Sequence, residues 1–353
     1  MTRHLYVHLP FCAHRCGYCD FVTAVGRHEQ HGPYVDALLS ELETVFVGGG
    51  TPTFTEPHAL ERLLAALPQA DEVTVEANPE TVTQELARRL RAHGVNRVSL
   101  GVQSFRPRLL RVLDRVVQPD AVRRAFYHLR DAGFDNISFD LIYGIPGQSA
   151  ADLEADLADA LVLGPEHLSC YELEAKPGTR FTHAHGDELA RQADAMEAYF
   201  EVVVDRLTDG GYRWYETANF CRAGDRDLRS HHNLAYWLGR DYVGLGVGAV
   251  STVAGRRWRN TPGLSRYLEA LAQGRRPERE LEQLSREVQQ RERVMLGLRL
   301  DEPLVLGGLA GVLDGEALLR LERLGLVESD ALTLALTQRG RFLGGGVTAD
   351  LLA

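Results

Sequence analysis

Three cysteines near the N-terminus constrain this chain more than any other feature. Cys12, Cys16 and Cys19 follow the spacing Cys-x3-Cys-x2-Cys. Three thiolates on one short loop can hold three irons of a cubic [4Fe–4S] cluster. The fourth iron then keeps an open position for another ligand, as a catalytic zinc ion does. A zinc knuckle completed by His8 or His14, or three unrelated cysteines, are the alternatives that this loop leaves open.

Length, charge and cysteine content narrow the class of protein. The 353 residues suit one large domain plus a small one, and the net charge of −10 argues against a nucleic-acid-binding surface. Five cysteines, three of them clustered, do not resemble a secreted disulfide framework, so we expect a reducing cytoplasm. The sequence has no apolar run of about 18 residues, so a transmembrane helix is not expected, although peripheral membrane contact stays open.

The first half of the chain alternates strand and helix patterns. The predicted strands are Leu5–Leu9, Val45–Val47, Val73–Glu76, Arg97–Gly101, Asn136–Leu141 and His167–Tyr171. The predicted helices include Leu60–Leu67, Val82–Ala92, Ala121–Ala132 and Ala151–Leu163. This order implies parallel strands joined by right-handed crossovers. Six such units are too few for an eight-fold barrel, so the pattern predicts a partial (β/α)6 barrel.

Each predicted strand is followed by residues that suit a ligand site. These segments are the cysteine loop, Gly48–Pro52, Glu76–Pro79, Gly101–Phe105, Asp140–Gly147 and Tyr171–Glu174. Active sites of parallel barrels lie at the C-terminal ends of the strands. The pattern therefore predicts one site on this face of the barrel.

Three domains are predicted, with limits at 1–188, 189–280 and 281–353. The first is the barrel, and the second is a mixed helical and Gly/aromatic extension. In the third, helices over Arg286–Arg299 and Glu316–Leu324 precede the alternating stretch Leu332–Thr337. Helices followed by a hairpin indicate a small winged-helix-like domain. Because the chain has a net negative charge, we expect this domain to pack against the rest of the protein or to bind a partner protein, and not to bind nucleic acid.

Several motifs allow both a structural and a functional interpretation. Gly48–Gly50 lacks the Gly-Lys-Ser/Thr of a phosphate-binding loop, so it is either a plain turn or a place where backbone approaches a ligand. Arg115 is either a solvated cation at a helix end or a polar anchor. Asp140 lies in an apolar strand and needs a partner or a ligand. Cys170 and Cys221 are isolated and are expected to be structural thiols.

A second cluster follows residue 230. His231 and His232 stand close to Tyr236 and Trp237. One interpretation is a structural histidine beside a core aromatic pair. The other is a porphyrin site, in which a neutral imidazole ligates haem iron and the aromatic rings cover the macrocycle. Gly244–Gly248 does not fit the dinucleotide-binding pattern, so we expect it to serve close packing.

Together these motifs resemble the radical S-adenosylmethionine (SAM) superfamily, and within it the HemW haem chaperones, which are related to the oxygen-independent coproporphyrinogen III oxidase HemN. The resemblance rests on the stretches His8–Phe21, Phe46–Pro52, Asn96–Phe105, Asp140–Gln148, Tyr215–Phe220 and His232–Trp237. It implies a radical SAM partial (β/α)6 barrel with a small C-terminal winged-helix-like domain. It also implies three cofactors, namely a [4Fe–4S] cluster, SAM and haem.

The resemblance assigns residues to each cofactor. The cluster ligands are Cys12, Cys16 and Cys19. The SAM-binding residues are Tyr6, Gly49, Gly50, Thr51, Glu76, Gln103, Arg115, Asp140 and Ile142. The His-Asn-x-x-Tyr-Trp motif assigns haem binding to His232, Asn233, Tyr236 and Trp237.

Two departures from the oxidase favour the chaperone. Phe21 stands where the oxidase has a further cysteine, and Tyr6 nearly begins the chain where the oxidase has an extension. The implied function is a haem chaperone without oxidase activity. The alternative is a coproporphyrinogen III oxidase that abstracts hydrogen from propionate side chains with a 5′-deoxyadenosyl radical. The implied partners are haem, respiratory proteins that accept it, a haem donor protein and a second copy of the chain.

One departure from HemW itself concerns the first helix. The helix predicted around Tyr34–Glu43 meets the strand Val45–Val47 with almost no connection, where the family has more chain. The resemblance therefore leaves the packing of this helix unsettled.

Overall fold

The computed structural model describes residues 4–14, 16–19, 21–32, 34, 45–67, 70–115, 119–176 and 178–352. Six parallel strands form the centre of its large sheet. They are β1 (His4–Leu9), β2 (Phe46–Gly49), β3 (Thr74–Ala77), β4 (Arg97–Gln103), β5 (Ile137–Tyr143) and β6 (His167–Glu172). All six predicted strands are confirmed, and each bound agrees within two residues.

The extension adds strands to both edges of this sheet. They are β7 (Tyr212–Glu216), β8 (Asn219–Arg222), β9 (Tyr242–Leu245), β10 (Val250–Val253), β11 (Arg256–Asn260) and β12 (Arg279–Gln283). The twelve strands run in the order β12-β11-β10-β9-β1-β2-β3-β4-β5-β6-β8-β7. Strand β9 pairs in parallel with β1, with Val243 opposite Leu5. The prediction of six parallel strands therefore missed a seventh, which comes from the extension.

Helices connect and cover the strands. They are α1 (Pro57–Ala65), α2 (Gln84–Ala92), α3 (Pro107–Val112), α4 (Pro119–Asp131), α5 (Ala150–Leu163), α6 (Arg180–Gln192), α7 (Met196–Asp209), α8 (His231–Trp237) and α9 (Leu264–Ala272). Four of these, α1, α2, α4 and α5, confirm the helices predicted in the first half. The helix predicted over Tyr34–Glu43 lies outside the described residues except for Tyr34, which is buried. None of the helices within the described ranges is long and apolar enough to cross a membrane.

Local sequence explains where these helices start. Ser149 caps α5, and its hydroxyl accepts from the backbone N–H of Asp152, whose carboxylate accepts from the N–H of Ser149. This reciprocal pair satisfies two N–H groups that the first turn would otherwise leave unpaired. The buried Asp156 of α5 accepts from the N–H of Phe105 at 2.7 Å, just past the end of β4. These bonds fix α5 against the end of the sheet where the site lies.

The C-terminal residues form a smaller unit with its own apolar cluster. Its elements are α10 (Arg286–Gly297), β13 (Leu304–Val305), α11 (Gly315–Arg323), β14 (Val327–Ser329), β15 (Thr333–Leu336), α12 (Gln338–Phe342) and α13 (Gly344–Leu351). The strands pair antiparallel in the order β13-β15-β14, and β14 and β15 form the predicted hairpin. Helix, strand, helix and hairpin follow the order of a winged helix. The domain limits themselves stay a prediction.

An ion pair with a buried carboxylate joins this unit to the sheet. Glu216, at the end of β7, is fully buried, and its Oε1 accepts from Nε of Arg299 at 2.7 Å. Its other oxygen accepts from the N–H of Ala218 at 3.0 Å. A buried carboxylate needs such partners, because an unpaired buried charge is strongly destabilising.

Candidate functional site

The cysteine loop is held against the glycine-rich turn by backbone hydrogen bonds. The N–H of Gly50 donates to the carbonyl of Leu9 at 2.6 Å, and the N–H of Thr51 donates to the carbonyl of Phe11 at 2.9 Å. These bonds join the ends of β1 and β2. They fix Cys12, which directly follows Phe11, beside the turn.

The three predicted cluster ligands line one cavity of about 620 Å³ at the C-terminal ends of the strands. All three thiols are free of disulfide bonds. The Sγ of Cys12 lies 3.8 Å from Oγ1 of Thr51, and burial raises the pKa of the Cys12 thiol. The Sγ of Cys16 lies 4.0 Å from Nη1 of Arg115. Three thiols without disulfide bonds on one cavity fit a [4Fe–4S] cluster.

The arrangement does not favour the zinc-knuckle alternative. No group of three or more His, Cys, Asp or Glu side chains in the described part of the chain converges on one ion. Both ring nitrogens of His8 are engaged, with the carbonyl of Val22 at 2.8 Å and the hydroxyl of Tyr6 at 3.0 Å. The Nε2 of His14 lies 2.8 Å from the carbonyl of Asp114. A cubane binds each thiolate at a different iron, so its ligands need not meet at one point.

Glycines in the turn permit the close approach of the loop. A Cβ on Gly50 would lie 2.7 Å from the carbonyl oxygen of Pro10 and 2.9 Å from Sγ of Cys12. Gly49 has a φ of +113°, which disfavours any side chain. The interpretation of these glycines as a site of close backbone approach is therefore supported over that of a plain turn.

Most of the predicted SAM-binding residues come together in the cavity of the cysteines. They are Gly49, Gly50, Thr51, Glu76, Gln103, Arg115, Asp140 and Ile142. Tyr6 does not join them, because it lines a neighbouring cavity. The assignment of these nine residues to SAM stays a prediction.

Arg115 is a cavity residue, so its interpretation as a solvated helix-end cation is wrong. Its Nη2 donates to Oδ1 of Asn78 at 3.0 Å and to the carbonyl of Gly101 at 2.9 Å. Its Nε is buried and has no hydrogen-bond partner among the residues that the structure describes. Nearby, Gln103 has a φ of +65°, in the left-handed region. Unpaired buried donors and strained backbone are both concentrated at ligand sites.

Two carboxylates line the same cavity. Burial raises the pKa of Glu76 to about 7, with a further contribution from the negative charge of Asp140. The Oε2 of Glu76 accepts from the N–H of Gly49 at 3.1 Å. Burial also raises the pKa of Asp140 to about 6, although both of its oxygens accept from Oγ of Ser99 at 3.2 Å. Perturbed carboxylates in a cavity indicate a functional site, and this pair suits a ligand with positive charge.

A second chamber of about 380 Å³ adjoins the cavity of the cysteines. It lies inside the barrel, and its lining includes Tyr6, His8, Phe46, Arg97, His232, Asn233, Tyr236, Tyr242 and Arg259. Five further lining residues are shared by both cavities, namely Phe21, Glu76, Ser99, Asp140 and Tyr171. The two cavities are therefore neighbours separated by few side chains.

Helix α8 places three of the four predicted haem-binding residues in the second chamber. His232 is 7% exposed, and its Nε2 lies 2.9 Å from the hydroxyl of Tyr236. Burial lowers the pKa of His232 to about 3, so its imidazole is neutral, which is the form that ligates iron. Because Tyr236 engages Nε2, His232 is a satisfied structural histidine in this conformation. His231 is more exposed and lies 3.7 Å from the carboxylate of Asp227.

Trp237, the fourth predicted haem-binding residue, is not among the residues that line the second chamber. Its ring packs beside Tyr215 and Leu300, and the guanidinium of Arg299 lies 4.4 Å from its centroid. The indole Nε1 is buried without a hydrogen-bond partner in the described ranges. Trp237 therefore contributes to packing between α8 and the C-terminal unit.

Sequence reasoning missed Arg97, which lines the second chamber. Side chains alternate between the two faces of a strand, so residues 97, 99, 101 and 103 of β4 share one face. Ser99 and Gln103 border the cavities as well. The alternation along β4 was the signal that could have placed Arg97 inside the barrel.

Comparison with known proteins gives a consistent family. The model of the radical SAM superfamily matches residues 6–160. The heme chaperone HemW of Bacillus subtilis is 34% identical, and the alignment covers 98% of each chain. HemW of Mycobacterium tuberculosis H37Rv is 37% identical over 99% of this chain and 94% of the relative. The structure of the Escherichia coli coproporphyrinogen III oxidase HemN, a radical SAM enzyme, matches with a TM-score of 0.80 at 24% identity, covering 100% of this chain and 90% of the other.

The fold and the cysteine-lined cavity define a radical SAM protein, and the predicted fold class is confirmed. Within that superfamily the chain belongs to the HemW family. This family assignment also agrees with the resemblance found in the sequence.

Proposed function

We propose that this protein is a cytoplasmic haem chaperone, which binds haem, carries a [4Fe–4S] cluster with SAM, and delivers haem to respiratory haem proteins. The observation that carries the proposal is the position of α8. His232, Asn233 and Tyr236 of its His-Asn-x-x-Tyr-Trp motif line a chamber that shares walls with the cavity of the three cysteines. A motif tied to haem and a loop suited to a cluster thus lie against one barrel interior.

Different residues around the larger cavity would bind the cluster and SAM. Cys12, Cys16 and Cys19 would hold three irons, and the bound cluster would supply an electron at low potential. Gly49 and Gly50 line this cavity, and their backbone would meet the amino-acid end of SAM. Glu76, Gln103, Arg115 and Asp140 would be its polar anchors.

Phe21 supports the chaperone over the oxidase. It stands at the position where the oxidase has a further cysteine, and it lines both cavities. A phenyl ring can neither ligate iron nor exchange a proton. The alternative function, oxidative decarboxylation of coproporphyrinogen III, therefore lacks one of the groups that the resemblance to the oxidase requires.

His232 is the proposed axial ligand of haem iron. Its imidazole is neutral, and its Nε2 is bonded to a tyrosine hydroxyl and not to a carboxylate. The hydrogen bond to Tyr236 would have to open before Nε2 could bind iron. His231, one position earlier and more exposed, is a substitute ligand.

The test is a haem titration on the anaerobically reconstituted protein, with turnover of coproporphyrinogen III measured on the same sample. We expect a haem difference spectrum for the wild type, partial loss in His232→Ala and near-complete loss in the double variant with His231→Ala. The exposed His58→Ala is the control and should bind haem normally. A double variant with the wild-type spectrum and affinity would remove both histidines as ligands. Steady formation of protoporphyrinogen IX would contradict the chaperone function and would support the oxidase function.

The acceptor proteins, a haem donor and a homodimer belong to the same proposal. The C-terminal unit, residues 281–353, is the proposed partner-binding domain. It exposes Leu319 and Leu332, which are 61% and 71% accessible. Pull-down by the haem-loaded protein, with and without this unit's Leu319→Ser substitution, would test whether respiratory haem proteins bind there.

A further inference from the structure

The guanidinium of Arg97 is a buried cation without a fixed partner. Arg97 is 2% exposed and lines the second chamber. Across the described residues its side chain has no recorded hydrogen bond or ion pair, and its Nε is a buried donor without an acceptor. A buried guanidinium without a direct partner is costly, because distant charges offset only part of the energy of removing its charge from water.

The nearest carboxylates do not fill this role. Glu76 and Asp140 line the same chamber, and their charges interact with Arg97 over a distance. However, each carboxylate accepts a hydrogen bond from another donor. Glu76 accepts from the N–H of Gly49, and Asp140 accepts from the hydroxyl of Ser99. Neither lies within ion-pair distance of Arg97.

The chemistry of the guanidinium specifies what would complete the site. Its planar fork of N–H donors matches a carboxylate through two parallel hydrogen bonds, and such charge-assisted pairs are strong and directional. The chamber around Arg97 has about 380 Å³ of space. The site therefore fits a carboxylate that is carried in by a ligand.

The other side chains of the chamber indicate which ligand brings it. Asn233 and Tyr236 belong to the proposed haem motif, and both border the chamber together with Arg97. Arg259 lies at its solvent-exposed edge. Haem carries two propionates, so a haem held near α8 can extend one carboxylate toward Arg97.

We propose that Arg97 binds a propionate carboxylate of haem in the second chamber. This inference rests on the proposed haem-binding function and adds the group that orients the porphyrin. Arg97 acts on the edge of the ligand, and His232 remains the proposed iron ligand. The methionine carboxylate of SAM is the other carboxylate that could reach this space, and the experiment separates the two sources.

The first arm varies the ligand and leaves the protein unchanged. Haem and haem dimethyl ester are titrated into the reconstituted wild type under identical detergent conditions. Loss of a charge-assisted pair should weaken binding of the ester roughly ten- to a hundredfold. Equal affinity for haem and ester would overturn the inference and leave the chaperone function standing. A wild type that binds neither would overturn the proposed function, and the inference with it.

The second arm varies the protein. Arg97→Met should weaken haem binding roughly ten- to a hundredfold and abolish the difference between haem and its ester. Arg97→Lys keeps the positive charge but loses the planar pair of N–H donors. Its affinity for haem should therefore lie between those of the wild type and Arg97→Met. Arg266→Met, the same charge change at an exposed position, should behave like the wild type. Cluster content shows whether each variant is folded, and the ester comparison on the wild type holds even if Arg97→Met does not fold. If Arg97→Met loses SAM affinity and keeps the ester penalty, the carboxylate belongs to SAM and the inference is wrong.

Discussion

The imidazole of His232 stacks on the phenyl ring of Phe46, with ring centroids 4.5 Å apart and 18° between their planes. Phe46 also stacks on Tyr6, at 6.1 Å and 28°. His232 comes from α8, whereas Phe46 and Tyr6 come from neighbouring strands at the centre of the sheet. The proposed haem motif is therefore built into the wall of the barrel and is not an appendage on its surface.

Replacing Phe46 tests this relationship. Phe46→Ala removes a buried ring from between Tyr6 and His232, and it should lower the free energy of unfolding by about 3–5 kcal/mol. The same change should alter the haem difference spectrum, because it frees one face of the His232 ring. Phe105→Ala, another buried ring, is the control. It should cost similar stability and leave the spectrum of the folded protein unchanged. Equal spectra for both variants would contradict a role for the stack.

Substitution of the three clustered cysteines should remove the iron–sulfur cluster, whereas substitution of the two isolated cysteines should not. Ser in place of Cys12, Cys16 or Cys19 should abolish the broad iron–sulfur absorbance after anaerobic reconstitution, because each thiolate would hold one iron. Cys170 and Cys221 are buried, and their replacement by Ser should leave the absorbance per folded protein intact. Iron and sulfide analysis checks both sets. Tight uptake of zinc with no iron would contradict the cluster assignment.

Gly50 should tolerate no side chain. Gly50→Ala places a Cβ against the carbonyl of Pro10 and the Sγ of Cys12, and such overpacking costs about 1–3 kcal/mol. The displaced thiol should also reduce cluster occupancy, measured as iron per protein. Gly186→Ala in α6 meets nothing within 4 Å and should stabilise that helix by about 0.5–1 kcal/mol. A Gly50→Ala protein with normal stability and normal iron content would disprove the tight contact.

The buried carboxylate of Glu76 predicts a pH dependence of stability in the protein without cofactors. Its pKa is raised from about 4.5 to about 7, so the folded state binds a proton more tightly than the unfolded state. The stabilisation by that proton is full below about pH 4.5 and is lost as the pH rises through about 7, an effect on the order of 3 kcal/mol. Urea denaturation from pH 4.5 to 7.5 should show a flatter profile for Glu76→Gln than for the wild type. The exposed Glu80→Gln should keep the wild-type slope, and an unchanged slope in Glu76→Gln would contradict the prediction.

The parallel sheet could be predicted from sequence because its strands are short β-branched runs separated by amphipathic helices. The convergence of Asp140, Glu76 and the glycine turn followed from one geometric rule, that parallel strands end on the same face. Strand β9 escaped prediction because Tyr242–Leu245 is short and contains a glycine, and because its partner β1 lies far away in sequence. Local patterns carry no information about such a pairing.

Side-chain partners were harder to predict than strands. Trp237 ends the proposed haem motif, yet the seven-residue helix turns it toward Arg299 and the C-terminal unit. Arg97 looked like an ordinary charged residue at the start of a strand. Its burial depends on α8 and β9–β11, which come from the extension and which strand alternation alone could not place against it.

The pairing of β1 with β9 has a consequence for synthesis on the ribosome. About 240 residues separate Leu5 from Val243, so one edge of the first strand stays unpaired until the extension emerges. At translation rates of about 5–20 residues per second this interval lasts roughly 10–50 s. Throughout it the nascent chain carries an open strand edge next to three unligated thiols. Newly made protein is therefore most open to aggregation and thiol oxidation before residue 245 leaves the exit tunnel.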